Sequence, residues 1–257
     1  MIVTVYTLFP GLIEAYREEA LLGRAVREGR LELRARDLRR FAGNRTGRVD
    51  DAPYGGGAGM VVRVDVAAAA LEEAARDDPP PTERVLLSPA GERVTQHDVE
   101  RWAEMPHLCL LAGRYEGFDA RTEDLVDREA SIGDFVLMGG ELPALCLVEA
   151  IARLLPGVLG AEDSHRQDSF ATGLLDYPEY TRPATFRGAG VPDVLTSGHH
   201  GRVAAWRRRE ALRRTLLRRP DLLDRAALSD EDRAALEELR RERATGDPRH
   251  GDEPTPD

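Results

Sequence analysis

The first forty residues change between two hydrophobic periods. Residues 2–8 alternate between apolar and polar positions and are rich in β-branched side chains, which predicts a strand. Residues 12–26 carry apolar side chains at helical spacing and predict a helix that ends near Gly29. Residues 31–35 alternate again and predict a second strand. The chain therefore begins with a strand, a helix and a strand.

The same succession continues through the middle of the chain. A long polar and glycine-rich loop is predicted at residues 41–59. Helices are then predicted at 66–75, 95–103 and 141–155, and strands at 84–88 and 107–112. The 118–130 region is predicted to be a helix followed by a strand that ends near Ile132.

This alternation predicts an α/β fold in which a mostly parallel sheet is flanked by helices. We assign it to residues 1–160, and the polar, charged residues 161–171 to an inter-domain linker. Residues 172–257 are predicted to form a smaller helical domain with helices at about 200–218 and 229–243 and a frayed tail after them.

Composition narrows the possible chemistry. All 36 basic residues of this 257-residue chain are arginine, and the absence of lysine excludes a lysine-dependent phosphate loop or a Schiff base. The net charge of −10 argues against a nucleic-acid partner, yet residues 202–219 hold eight arginines and one acid. The basic block indicates a local surface for nucleic acid within an acidic protein.

Compartment is inferred from what the chain does not contain. No apolar run is long enough to span a bilayer, and residues 1–9 read as a strand without a basic leader. Cys109 and Cys146 lie in apolar runs and are predicted to be buried thiols, without a disulfide or a metal site. We therefore expect a cytoplasmic protein.

Three glycine-rich loops carry the candidate chemistry: YGGGAGM at 54–60, AGRYEG at 112–117 and SIGDFVLMGGELPA at 131–144. The last two follow predicted strands, as does the turn at 88–91, and the ends of parallel strands meet at one edge of a sheet. Each loop alone is explained by a surface loop or a plain turn. Together they predict a pocket of backbone amides.

The composition of that pocket suits some ligands and not others. A dinucleotide fingerprint must follow an apolar strand, whereas residues 48–54 are polar. Arg114 is the chief cation, so a triphosphate fits poorly. Main-chain groups and apolar walls suit a bent, adenosine-containing ligand; the predicted walls are Leu87, Ile132, Phe135, Val136 and Leu137.

With these residues in view, the chain resembles the bacterial tRNA (guanine-N1-)-methyltransferases, a knotted SPOUT-type family that modifies the guanine 3′ of the anticodon. The resemblance covers nearly the whole chain in order, and it departs at Met138, where serine is common. The matching stretches are 8–10, 49–60, 87–91, 112–117, 131–144, 156–160, 168–170, 173–175, 180–183 and 217–223.

The resemblance implies a trefoil-knotted α/β domain, a homodimer with its active site at the subunit interface, and S-adenosyl-L-methionine as the methyl donor. Periodicity and composition do not indicate the knot, since knots are rare. By resemblance the cofactor contacts are Leu86, Leu87, Ser88, Pro89, Gly113, Tyr115, Glu116, Ile132, Gly133, Asp134, Phe135, Val136, Leu137, Gly139, Gly140 and Pro143.

The resemblance also implies catalytic roles. Asp168 would remove the N1 proton of the guanine, and Arg153 would stabilise the charge that forms on O6. The residues alone favour simpler roles, a helix cap or solvated linker acid for Asp168 and a surface helical arginine for Arg153. Glu116 is expected near the sulfonium, or else in a structural ion pair. Mg²⁺ is possible, although no cluster of hard oxygen ligands is recognisable.

The remaining expectations concern the tRNA. Substrate contacts are expected from Asp50, Gly57, Gly59, Arg114, Ser169, Arg182, Arg207, Arg208 and Arg209. For any single arginine, a solvated helix face is as good an explanation. Two other functions stay open: a tRNA-binding module of the same fold without catalysis, and a methyltransferase acting on another RNA.

Overall fold

The structure is a computed structural model that describes residues 1–43, 47–160 and 168–245. The chain divides into two compact units, Met1–Glu162 and Asp163–Asp257. Parts of three predicted segments, residues 44–46 of the loop predicted at 41–59, 161–167 of the linker and 246–257 of the tail, lie outside the described residues.

The first unit is built on a five-stranded sheet of the order β2-β1-β6-β5-β7, in which every pair of neighbours is parallel. All five carboxyl ends therefore lie at the same edge. The strands of this unit are β1 Ile2–Thr7, β2 Glu32–Asp37, β3 Asp50–Asp51, β4 Val61–Val62, β5 Glu83–Arg93, β6 His107–Ala112 and β7 Arg128–Ser131, of which β3 and β4 form a separate antiparallel pair.

Helices cover both faces of this sheet. The central strand β6 is buried at every position, as expected of a parallel strand covered on both faces. One core contains Val3, Ile13 and Trp102, and the opposite core contains Tyr6 and Leu71. The helices are α1 Pro10–Tyr16, α2 Ala20–Arg27, α3 Val64–Ala74, α4 Gln96–Ala103 and α5 Glu141–Ala152.

Two predicted helices differ in the structure. The single helix predicted over 12–26 is two helices, interrupted at residues 17–19, and Ala20, which follows, has a φ of +47°. The Glu18 carbonyl oxygen in this interruption comes so close to Gly23 that a Cβ there would lie 2.2 Å from it. A continuous apolar pattern does not reveal such a close approach. The helix predicted within 118–130 is a 3₁₀ helix, Ala120–Leu125, followed by β7.

The strand predicted at 84–88 is longer than expected. Strand β5 runs to Arg93, and its pairing with β7 is interrupted between Leu87 and Glu92. The intervening residues leave the ladder, and Gly91 passes so close to β7 that a Cβ would lie 2.4 Å from the Ala130 nitrogen. Pro89 and Gly91 correctly indicated an interruption after residue 88, but the sequence pattern did not predict that the strand continues to Arg93.

The second unit contains the short hairpin β8 Thr185–Phe186 and β9 Ala189–Gly190, followed by the helices α6 Asp193–Thr196, α7 His200–Arg218 and α8 Asp230–Thr245. The hairpin was not predicted, whereas α7 and α8 lie where the pattern placed them. Their core contains Leu174, Leu212, Leu216, Leu236 and Leu239.

The two thiols lie in different surroundings. Cys109 is buried in β6, and burial raises its pKa to about 12. Cys146 is exposed, so the prediction that it is buried is wrong. The helix α5 is apolar on most of its circumference, but only one side packs on the sheet, and Cys146 lies on the other with Leu142. In the described part of the chain, no helix is both long and apolar enough to cross a membrane.

Candidate active site

A cavity of about 350 Å³ lies at the carboxyl edge of the sheet, beside β5, β6 and β7. Its walls are residues 86–90 of β5, at the interruption in its pairing with β7, the last residues of β7, and the segments that follow β6 and β7. The lining residues are Leu86, Leu87, Ser88, Pro89, Ala90, Gly113, Arg114, Tyr115, Glu116, Gly117, Phe118, Asp119, Ala120, Glu123, Glu129, Ala130, Ser131, Ile132, Gly133, Phe135, Val136, Leu137, Met138, Gly139, Gly140 and Pro143.

Glycine is needed where two of these loops meet. The Gly140 amide donates a hydrogen bond of 2.8 Å to the Gly113 carbonyl oxygen. A Cβ on Gly140 would lie 2.8 Å from the Ala112 Cα, closer than carbon atoms approach in a packed interior. The absence of a side chain at Gly140 therefore lets the two backbones form one wall of the cavity.

The loop 113–117 turns sharply and also holds the 55–60 loop. Tyr115 has a φ of +61°, in the left-handed region that favours glycine. The Glu116 amide donates to the Met60 carbonyl oxygen at 2.9 Å. A Cβ on Gly59 would lie 2.3 Å from Oε1 of Glu116. Two of the three glycine-rich segments therefore touch at the side of the cavity.

A buried ion pair lies behind the same wall. Glu141, the first residue of α5, is 1% exposed, and its Oε2 accepts a hydrogen bond of 2.8 Å from Nε of Arg114. Its Oε1 accepts from the hydroxyl of Thr7 at 2.6 Å. The carboxylate also lies in the first turn of the helix, where negative charge is favourable. The amino-acid pattern placed Glu141 at the start of this helix but did not indicate its pairing with Thr7 or Arg114.

The structure brings the predicted cofactor residues together. All of them line the cavity except Asp134, whose exposed side chain pairs with Arg93 at 3.1 Å. Arg114, predicted on the substrate side, lines it too. Among the lining residues not predicted is Phe118, which directly follows the 112–117 motif and could have been inferred from that position in the sequence. In the structure its ring lies 2.7 Å from a Cβ built on Gly113. That these residues bind a cofactor stays a prediction.

Arg153 lies away from the cavity of its own chain. It follows the last residue of α5, is exposed, and makes contacts of its own. The helix begins at Glu141, and Pro143 is its last residue on the cavity wall. At a rise of 1.5 Å per residue, Arg153 lies about 15 Å along the helix from Pro143. A single copy of the first unit therefore does not bring Arg153 to its own cavity.

Asp168 begins a tight turn in the second unit. The Ala171 amide donates to the Asp168 carbonyl oxygen at 3.2 Å, and the Asp176 amide donates to Oγ of Ser169 at 2.9 Å. Burial and the nearby charge of Asp168 raise the pKa of Asp176. The buried Thr215 of α7 accepts from the Leu175 amide at 2.9 Å and so fixes the turn on that helix.

The predicted arginines of α7 have partners within the second unit. Arg208 binds Asp232 of α8 through two hydrogen bonds of 2.9 and 2.8 Å, and Arg209 binds Glu238 at 2.9 Å and Glu242 at 2.6 Å. The Arg207 guanidinium lies 4.6 Å from the centre of the Tyr177 ring. Each of these three side chains therefore has a partner within the second unit, and their contacts with tRNA stay a prediction.

The other predicted substrate residues are distributed over both units. Asp50 is half-buried in β3, Gly57 is exposed with a φ of +136°, and Arg182 is exposed. Among residues 1–43, 47–160 and 168–245, no group of three or more histidine, cysteine or acidic side chains is arranged to hold a metal ion.

A parallel sheet whose strand ends enclose a cavity of main-chain atoms is the architecture of α/β enzymes that bind a nucleotide-like ligand. The comparisons with known proteins agree with this class. A family model described as tRNA (Guanine-1)-methyltransferase TrmD matches residues 1–225. The chain belongs to this methyltransferase family, which has the knotted SPOUT fold, so the resemblance inferred from the motifs is confirmed.

Curated relatives bear the same name. A tRNA (guanine-N(1)-)-methyltransferase of Deinococcus radiodurans is 59% identical over 230 residues, 90% of this chain and 82% of the relative. One of Thermus thermophilus is 57% identical over 239 residues, 93% of this chain and 98% of the relative. One of Pediococcus pentosaceus is 47% identical over 240 residues, with the same two shares of 93% and 98%. Methyltransferases in general use S-adenosylmethionine as the methyl donor.

Proposed function

We propose that this enzyme transfers the methyl group of S-adenosylmethionine to N1 of the guanine immediately 3′ of the anticodon, position 37 of tRNA, in the cytoplasm. The observation that carries the proposal is the cavity at the strand ends, which is built from the same loops that carry the family motifs.

The cavity fits an adenosine-containing methyl donor. Its lining combines apolar side chains with main-chain groups of three loops, which suits a base and a ribose read by backbone atoms. Leu87, Ile132 and Leu137 would hold the base, and Gly113 and Gly140 allow close approach of the backbone. When bound, S-adenosylmethionine supplies an electrophilic methyl group. We propose no protein site for Mg²⁺.

Asp168 and Arg153 are proposed to act on the guanine. Asp168 would accept the N1 proton, and Arg153 would stabilise the negative charge that forms on O6. Accepting this proton requires a base stronger than a fully hydrated carboxylate. Exclusion of water when tRNA covers the turn would provide that strength.

Arg153 can serve this role only if a second copy contributes it, because it lies about 15 Å along α5 from Pro143, the last residue of that helix on the cavity wall of its own chain. We therefore propose a homodimer with the active site between subunits. The outer side of α5 carries Leu142, 57% exposed, and Cys146. Phe9, which precedes α1, and Leu12 within it are 45% and 44% exposed. Exposed apolar side chains grouped in this way are typical of an interface.

The direction of pairing follows from symmetry. In a twofold dimer the same surface is used on both copies. If α5 packs against its symmetry mate in antiparallel orientation, the end that carries Arg153 lies beside the other copy's Gly140. The proposed dimer thus brings Arg153 to a cavity that its own chain cannot offer.

The dimer has its own test. Cys146→Arg places a charge in the middle of the proposed contact and should yield monomers in sedimentation velocity, with methyl transfer lost. Cys109 provides no comparable test because it is buried. Parent protein that sediments as a monomer at micromolar concentration would refute the interface.

The reaction is tested with two tRNA transcripts that carry G or A at position 37. We expect radiolabelled methyl transfer to the G transcript alone, at N1. Binding of both transcripts without transfer would instead support a tRNA-binding module that has lost catalysis. Transfer to the A transcript alone, or only to another RNA, would support a methyltransferase of different specificity.

A further inference from the structure

Glu141 is a buried charge with two partners from distant parts of the chain. Its carboxylate is 1% exposed and accepts hydrogen bonds from Thr7, at the end of β1, and from Arg114, after β6. A carboxylate removed from water needs such partners, and loss of one leaves a costly unpaired group. Hence Glu141 ties together the ends of two strands and the start of α5.

The ion pair crosses the cavity wall at Gly139. A Cβ on Gly139 would lie 2.2 Å from Nε of Arg114 and 2.6 Å from Oε2 of Glu141. Residues 114 and 139 are also joined by an isolated antiparallel bridge. The salt bridge and this backbone contact therefore hold the same two cavity loops together.

Glu141 also sets the direction of the Arg114 side chain. With Nε directed to Glu141, Nη1 donates to the Met138 carbonyl oxygen at 3.3 Å, and the guanidinium lies 4.5 Å from the centre of the Phe9 ring. Arg114 is the one basic side chain among the described residues that line the cavity. Its geometry depends on a carboxylate that does not itself line the cavity.

We propose that Glu141 is a positioning residue for methyl transfer: it orients Arg114 and holds the 113–117 and 138–140 loops in the arrangement that binds the methyl donor. This inference rests on the function proposed above. Glu141 itself would touch neither the donor nor the tRNA.

A second buried pair provides a matched control. Glu83, 7% exposed, accepts a hydrogen bond of 3.1 Å from Nη2 of Arg101. It is the first residue of β5 and so lies at the opposite edge of the sheet from the cavity. Glu83→Gln and Glu141→Gln each remove one buried negative charge while keeping the shape of the side chain. Only the second affects the cavity loops.

The experiment measures the melting temperature of each full-length variant by calorimetry, its Kd for S-adenosylmethionine by titration calorimetry, and its kcat and KM for tRNA methylation. Both variants should melt at lower temperature. Only Glu141→Gln should weaken donor binding, by about tenfold, equal to about 1.4 kcal/mol, and lower kcat. A Kd within twofold of the parent would reduce Glu141 to a purely structural role and overturn the proposal.

A double variant separates positioning from packing. If Glu141 acts through Arg114, the variant with both Arg114→Gln and Glu141→Gln should bind the donor no more weakly than Arg114→Gln alone. Additive losses would contradict the proposal. Should Glu141→Gln fail to fold, Thr7→Val keeps the arginine pair and removes the hydrogen bond to Glu141, together with the one that Oγ1 of Thr7 accepts from the Phe9 amide. It should weaken donor binding in the same direction by a smaller factor, and an unaltered Kd would again overturn the proposal.

Different results would refute the proposed function and the positioning role of Glu141. A parent protein that does not bind S-adenosylmethionine refutes the proposed function. A parent that binds it, with Glu141→Gln binding it equally well, refutes only the positioning role.

Discussion

Gly140→Ala is expected to damage the cavity by moving its wall. A Cβ at this position would lie 2.8 Å from the Ala112 Cα and 3.0 Å from the Gly113 nitrogen. Two carbon atoms are at their energy minimum at about 3.5–4.0 Å, so the loops must separate by about 1 Å. The φ of Gly140 is −82°, which suits alanine, so the expected effect is steric and not a matter of backbone conformation.

The magnitude follows from the cost of overpacking. Inserting a methyl group into a closely packed site costs about 1–3 kcal/mol. If this cost is paid when the cavity adopts its binding geometry, the Kd for S-adenosylmethionine rises by a factor of about 5 to 150. The hydrogen bond of 2.8 Å from the Gly140 amide to the Gly113 carbonyl oxygen should lengthen as well.

Titration calorimetry with S-adenosylmethionine measures this directly, and Gly11→Ala is the matched control. Gly11 lies in α1, and a Cβ there meets no atom within 4 Å. Alanine at Gly11 should leave the Kd unchanged and raise the melting temperature, since alanine favours a helix over glycine. If Gly140→Ala binds the donor as tightly as Gly11→Ala does, the close contact of the two loops does not define the cavity.

Three further predictions concern other parts of the molecule. Asp168→Asn should keep its affinity for S-adenosylmethionine and lose methyl transfer; unchanged turnover would remove Asp168 from the role of base. The hydrogen bond from Arg208 lowers the pKa of Asp232 from 3.8 to about 2. A carboxyl whose pKa is lower in the folded state contributes stability above pH 3.8 and loses it as the pH falls through about 2. Asp232→Asn should therefore reduce the change in unfolding free energy with pH across that range, as measured by denaturant unfolding. Burial lowers the pKa of His107 below its ordinary 6.5. Its neutral form is therefore favoured in the folded state, and stability should fall as the pH drops below 6.5. His107→Gln should reduce that dependence in the same unfolding assay.

The order of helices and strands was largely predictable from the sequence, because the spacing of apolar residues differs between a helix and a strand that each bury one side. Strand β6 was recognisable as a buried run, and α7 and α8 as helices. Glycine at the strand ends indicated the loops of the cavity, since close backbone approach requires it there. These signals are local, and each can be read within a few neighbouring residues.

The side-chain pairings were decided only by the tertiary structure. Thr7 and Glu141 are 134 positions apart, and no local pattern indicates their hydrogen bond. Arg208 was predicted to contact tRNA, yet its two hydrogen bonds to Asp232 depend on how α7 packs against α8. The exposure of Cys146 depends in the same way on which side of an apolar helix faces the sheet.

The position of Arg153 shows the same division. The sequence by itself predicted a helix over 141–155 that follows a glycine-rich loop and contains Arg153. Only the folded chain showed which residue of this helix is the last to line the cavity, Pro143, so that Arg153 lies about 15 Å further along α5. Hydrophobic period determines how each element forms, whereas the distances between functional groups arise from packing between elements that are remote along the chain.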